Sequence, residues 1–429
     1  MGTSAKRRLI HVVVVISLLL VGSSLPAAGA SVSIPRKYTD AARIMGDWLV
    51  DHIDPVLVSW ATPWDLGRTD STISFYGVKQ LAMLSGITGD SIYRDAAQRV
   101  ADSWISKAFI RSQDEVAEWT WAYDGKIGKL TWTDDEFAKA RGAFVSGVWA
   151  EKDGHEWVRS AEVPFCAGVV KPLSALLALG GEYSEEIDLL AGWLRSDLEH
   201  KKPCSGDSPF CAYMTCQTYT DFDGDGSVDI DYILWGSRRQ SAGMNARFIP
   251  VLLALGMKDE AIQTADWLIN VMWNKDKGRF NAVYDFETGV SFCLEGAGDE
   301  GCVNGQIARG LLAVYQATHD RKYLDYATDA LDWVVDHETA SAVTESGIQV
   351  YFTKPAVYGT HQVVAAMADA FKVTGQHKYL VYAVAGADWL IGQMETPFQG
   401  YENNPWSVVE TLEAMEALIG VGTDAGVSR

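Results

Sequence analysis

The sequence predicts an all-α protein: an (α/α)6 toroid closed by its N- and C-terminal helices, with long loops on one rim. Three observations carry this. A helical unit recurs, unpaired half-units stand at the two ends, and short and long connections alternate. The strongest copies are "TGDSIYRDAAQRVADSW" ending at Trp104, "THDRKYLDYATDALDWV" ending at Val334 and "TGQHKYLVYAVAGADWL" ending at Leu390. Each runs from a turn through a Tyr and small residues at helical spacing to a Trp that reads as a core anchor. Weaker copies end at Leu194 and Leu268.

Before each copy lies a second, more apolar helix, as in "GVKQLAMLSG", "VVKPLSALLALGG", "ARFIPVLLALG", "GQIARGLLAVYQAT" and "HQVVAAMADAFKVTG". Apolar on most faces, these helices belong inside, with the copies packed around them. "YTDAARIMGDWLV", from Tyr38 to Val50, is an outer helix without an inner partner. "PWSVVETLEAMEALIG", from Pro405 to Gly420, is an inner helix without an outer one. Joined, they complete a sixth hairpin and close the ring, where an open solenoid would need polar caps. The hairpins and the closure resemble the six-hairpin glycosidase superfamily over nearly all of the mature chain. That resemblance implies carbohydrate chemistry by an inverting glycoside hydrolase, a polysaccharide lyase or a sugar epimerase. It matches no family-level catalytic motif, so it carries over no catalytic residue.

Composition narrows the partners. Hydrophobic residues make up 48% and charged ones 21%, as in a globular protein. A formal charge of −20 excludes a nucleic-acid partner, which requires a basic face. Lys6, Arg7 and Arg8, the apolar run Leu9 to Gly22 and the small residues ending at Ala30 read as a signal peptide over residues 1–30. A retained anchor is the alternative, and no later segment suits a membrane. The protein is therefore expected to be secreted or at the cell surface, with residues 31–429 forming the toroid. Nothing in the sequence speaks to its oligomeric state. Export permits disulfides among the six cysteines. The expected pairs are Cys293–Cys302 and one within Cys204, Cys211 and Cys216, with Cys166 completing a third.

Inner-to-outer turns are short, and the outer-to-inner connections are long. The long ones share one rim, at the N-termini of the inner helices, and long loops in compact domains carry function. They hold many aromatics, among them Trp60, Trp64, Trp119, Trp121, Trp132, Trp157, Tyr401 and Trp406. Such rings either cover the C–H faces of sugars or pack a small β layer. "EWTWAYDGKIGKLTWTDDEF" reads as a β-hairpin within that layer.

One insertion, at about residues 200–237, contains "DFDGDGSVDIDY". Asp221, Asp223, Asp225, the Ser227 carbonyl and Asp229 fall at alternate positions of a Ca²⁺ loop, with Gly226 at the sharp turn. The pattern resembles the calcium loops of EF-hands, dockerins and thrombospondin repeats. It departs at the last position, where Tyr232 replaces the bidentate acid and Asp231 is the nearest substitute. The expected cofactor is a structural Ca²⁺ bracing the rim.

Inverting hydrolysis needs an acid and a base on opposite sides of the bond. Asp70, Glu162 and Glu402 stand at the starts of inner helices, and ring closure brings the elements of Asp70 and Glu402 together. Asp70 also reads as an N-cap, and Glu402 as a turn residue. His361 with Tyr358 is the proton-transfer pair a lyase or C5-epimerase would use. Trp64, Arg68, Tyr76, Arg159, Arg238, Arg239, Gln306, Tyr401 and Trp406 are the expected saccharide contacts, the arginines suiting a carboxylate. The leading function is a secreted inverting glycoside hydrolase acting on an oligo- or polysaccharide. A uronic-acid lyase or C5-epimerase and a non-catalytic glycan-binding surface protein remain as alternatives.

Overall fold

Six apolar helices line the axis and six more amphipathic ones surround them, as the repeats predict. The structure, a computed structural model, describes residues 34–62, 65–123, 126–164, 166–200, 215–220, 228–234, 239–285, 288–293, 300–344, 347–352, 357–395 and 404–424. The inner ring is α2 (Ser71–Thr88), α6 (Lys171–Leu179), α8 (Ala242–Ala254), α10 (Glu300–Thr318), α12 (Val357–Thr374) and α14 (Pro405–Asp424). Their outer partners are α3 (Ser91–Ala108), α7 (Ser184–His200), α9 (Lys258–Trp267), α11 (Arg321–His337), α13 (His377–Glu395) and, for α14, the N-terminal α1 (Arg36–Asp51). Because α14 packs on both α2 and α1, the ring closes. Two short helices, α4 (Gln113–Glu118) and α5 (Asp134–Ala140), lie in the second rim connection.

The tight turns are set locally. The chain reverses from inner to outer helix through one left-handed residue each time: Gly89, Gly180, Gly256, His319 and Gly375. Glycine takes this conformation without a Cβ penalty. His319, at φ 58°, is the exception. Asp90 and Asp320 then cap α3 and α11 by accepting from the backbone N–H of Ile92 and Lys322.

The outer ring is joined by a repeated hydrogen bond that only the structure reveals. Tyr38 donates to Asp388 at 2.8 Å, Tyr93 to Asp47 at 2.8 Å, Tyr183 to Asp102 at 2.9 Å, Tyr323 to Asp266 at 2.8 Å and Tyr379 to Asp332 at 3.0 Å. In each case the tyrosine of one hairpin reaches the aspartate of the hairpin before it. At the α7–α9 boundary both partners are absent, because Gly192 and Met257 occupy their places in the repeat. There α6 is only nine residues long, with a π turn (Cys166–Val170) ahead of it, and α8 contains Pro250.

The long connections build β structure over one rim. The first two share a six-stranded sheet that includes Asp65–Asp70, Gly147–Lys152, His155–Ser160 and Thr120–Tyr123. The expected hairpin is present, with Trp121 opposite Gly128 and Tyr123 opposite Lys126. Most described rim aromatics serve this layer. Trp60, Trp119, Trp121 and Trp132 are buried, while Tyr123, Trp157 and Trp406 are half-buried. Thr215–Thr220 pairs with Asp229–Leu234, the two strands that flank the aspartate-rich segment in sequence. The buried Val228 beside it donates from its backbone to Thr131 at 2.8 Å.

The expected Cys293–Cys302 disulfide is not formed. The Cys293 sulfur accepts from the Arg279 guanidinium, and the buried Cys302 sulfur accepts from Gln306 Nε2 at 3.2 Å. Different neighbours therefore hold the two sulfurs. Side chains of Cys166, Cys204, Cys211 and Cys216 lie outside the described set.

Candidate functional site

Inner helices that are apolar on most faces still carry polar residues toward the axis. On α14, Glu410, Glu413 and Glu416 recur every third residue, and all three are buried. Such spacing places them along one stripe of the helix. Opposite them stands His361 of α12, with no exposed surface. Its Nδ1 faces the Val357 carbonyl at 3.0 Å, the usual bond to residue i−4, which leaves Nε2 as the acceptor. Nε2 meets the Gln362 amide and lies 3.5 Å from the Tyr76 hydroxyl. Tyr76, on α2, donates a hydrogen bond to Glu413. His361 lies between two carboxylates, with Nδ1 3.8 Å from Glu410 and Nε2 3.8 Å from Glu413.

The two glutamates have opposite surroundings. Burial pushes Glu410 up to about 8, with the Glu413 charge adding to it and Arg247 opposing it. Burial also acts on Glu413, but Arg309, Lys79 and Lys171 outweigh it and hold that carboxyl well below its usual range. Arg309 donates to Glu413 at 2.8 Å and to Asp369 at 2.9 Å. Burial lowers His361 to about 3, so its imidazole is neutral at neutral pH. Burial raises Glu416 well above the usual range, and neither of its oxygens has a hydrogen-bond partner among the described residues. The axis thus holds an ionised glutamate beside protonated ones, the separation that acid–base chemistry uses.

Of the predicted acids, Asp70 is half-buried and caps α2, accepting from Thr72 N–H at 2.7 Å, and burial raises its carboxyl. The sheet holds it there through pairing with Gly147. Glu162 is exposed on the strand Glu162–Pro164, opposite Thr218. His361 contacts Tyr76 in this network. The side chain of Tyr358 lies outside the described set, as does that of Arg239, and Glu402, Tyr401, Trp64 and Arg238 lie outside the described residues altogether.

Arg68 stacks over Trp149 at 4.7 Å. It passes where a Cβ on Gly147 would stand 2.5 Å from its Nε, so a larger residue there would displace the guanidinium. Arg159 is built into the sheet. It donates to the carbonyls of Lys107 and Trp157 and stacks over Trp119, and burial lowers it to about 10. Gln306 is buried against the axis. Trp406 packs edge-on against Tyr76 at 6.4 Å, and its indole N–H has no partner among the described residues. Asp221, Asp223, Asp225 and Ser227 lie outside the described residues, and Asp229 and Asp231 are described only as strand backbone.

Family models and curated proteins give no match to the chain. Solved structures do. A family 76 glycoside hydrolase from a bovine Bacteroides thetaiotaomicron strain matches at TM-score 0.57 and 11% identity, over 90% of this chain and 77% of that one. An α-1,6-mannanase from Salegentibacter sp. HEL1_6 matches at 0.53 and 12%, over 90% and 99%. An unsaturated glucuronyl hydrolase specific for heparin matches at 0.51 and 12%, over 90% and 97%. The shared fold is the (α/α)6 toroid. At these identities the likeness speaks to fold alone.

The acids at the helix starts were legible in the sequence, but the axial glutamates were missed. Their signal is there: Glu410, Glu413 and Glu416 at three-residue spacing inside an otherwise apolar run. Charge repeated on one stripe of a buried helix implies a polar axis.

Proposed function

We propose that this protein is an exported carbohydrate-active enzyme, an inverting glycoside hydrolase that takes an oligo- or polysaccharide across the long-loop rim. One observation carries the mechanism: Glu410 and Glu413, one turn apart, flank His361 at 3.8 Å, and only Glu413 is clamped by Arg309, so burial raises Glu410 while the cations hold Glu413 low. Trp406 lies one turn above Glu410 on the same helix and offers a sugar an aromatic face and an indole donor. In this reading Glu410 protonates the leaving oxygen. The base that activates water comes from the rim set of Asp70, Glu162 and Glu402. Glu413, clamped by Arg309 and Tyr76, positions His361 and supplies negative potential beneath the oxocarbenium-like transition state. Mannan-type and uronic substrates are the classes suggested by the names of the structural neighbours. A lyase or epimerase would need His361 as its base, and there Nδ1 is committed to the Val357 carbonyl and Nε2 to the Gln362 amide. The export signal and a Ca²⁺ in the residue 221–231 loop, bracing the rim, belong to the same proposal.

The test is Glu410→Gln in the mature protein, with reducing ends and unsaturated uronates both measured. Wild-type activity should need protonated Glu410 and decline above about pH 8. Glu410→Gln should cut turnover by roughly 10²-fold or more on a sugar with a poor leaving group, and far less on one with an activated leaving group. Full activity in Glu410→Gln, or an unsaturated product, overturns the reading.

A further inference from the structure

A second opening of the toroid lies away from the loops. A cavity of about 280 Å³ runs from the middle of the barrel toward the carboxyl ends of the inner helices. It passes Ser174 on α6 and Pro250 on α8 and reaches Gln316 and Lys372, near the ends of α10 and α12. This is the short-turn side, opposite the loop-bearing rim. Every inner helix contributes a charged side chain to its wall: Lys79, Lys171, Arg247, Arg309, Asp369 with Lys372, and Glu413. That is five cations against two carboxylates, in a chain of net charge −20. Arg309 pairs with both carboxylates, Lys79 lies 3.9 Å from Glu413 and Lys372 lies 4.0 Å from Asp369, so positive charge still exceeds negative on the wall. The carboxyl ends of helices carry partial negative charge, so this mouth would repel anions without the lysines and arginines that line it. The volume lies just below the ~300–1,000 Å³ typical of small-molecule sites, which limits an occupant to about one sugar ring or less.

We propose that this axial cavity is a binding site for a compact oxyanion, a carboxylate or a phosphate, distinct from the saccharide face. Cations converging from several helices in a partly enclosed space bind such groups by charge-assisted hydrogen bonds. Its wall is built mostly by α8, α10 and α12, and the short α6 borders it with Lys171 and Ser174.

Calorimetric titration of the mature protein with inorganic phosphate and with sodium glucuronate tests this. Sodium chloride at matched ionic strength and glucose serve as controls. One-to-one saturable binding of either anion above the chloride control is expected, and the tighter of the two names the source of the oxyanion. Lys372→Met should weaken it by about tenfold or more, and Ser174→Glu, which puts a negative charge on the wall, should do the same. Circular dichroism confirms folding, and either folded variant is decisive alone. No saturable heat above chloride, or binding unchanged in a folded variant, overturns the proposal.

Discussion

Tyr38→Phe removes the hydroxyl that closes the ring between α1 and α13 and leaves the buried ring in place, so no cavity forms. The lost bond is a 2.8 Å donation to Asp388, whose side chain is 22% exposed and also pairs with Lys37 at 2.5 Å. A hydrogen bond to a charged group contributes about 1.5–3 kcal/mol. With Asp388 partly solvated and still paired, the lower end applies, about 1–1.5 kcal/mol. In a chain of this size that is a fall in Tm of about 2–4 °C or somewhat less. A urea-unfolding cycle of Tyr38→Phe, Asp388→Asn and the double variant should give a coupling of about 1 kcal/mol. The pH dependence has a definite sign. Burial, with Asp388, raises Tyr38 above the ordinary tyrosine range. The folded state therefore keeps a proton that the unfolded state loses, and stability falls as pH rises past about 10. Tyr93 and Tyr323, each raised to about 12 mainly by burial, add to that decline. Tyr38→Phe should flatten it. A coupling within error of zero, or an unchanged alkaline decline, would refute the view that these bonds close the ring.

Three further outcomes are expected. His319→Gly, at the non-glycine left-handed turn, should stabilise by about 1 kcal/mol in urea unfolding, since glycine carries no Cβ penalty there. Arg309→Met should destabilise by about 3–5 kcal/mol by leaving Glu413 buried without its main partner, and adding Glu413→Gln should recover part of the loss in the same assay. Chelating divalent ions should lower Tm, with recovery on adding Ca²⁺ but less on adding Mg²⁺; no change in Tm would leave the residue 221–231 aspartates as a solvated turn.

Periodicity alone determined the toroid. A Trp-ended amphipathic helix alternates with an apolar one, and the complementary end halves admit only a closed ring. Loop lengths likewise identified the rim where β structure accumulates, because a short turn holds a helix hairpin and leaves no room for strands. What the sequence left open were facts of depth and neighbourhood. Asp70 reads equally as a cap or an acid in one dimension, and its bond to Thr72 shows the capping role. Whether Cys293 and Cys302 pair depends on which groups reach each sulfur. Glu410 and Glu413 are the same residue type three positions apart. Only the packed barrel, by burying both and bringing Arg309 to one, gives them opposite protonation. Ionisation follows from solvent and charge within a few ångströms, and those neighbours come from helices up to hundreds of residues apart.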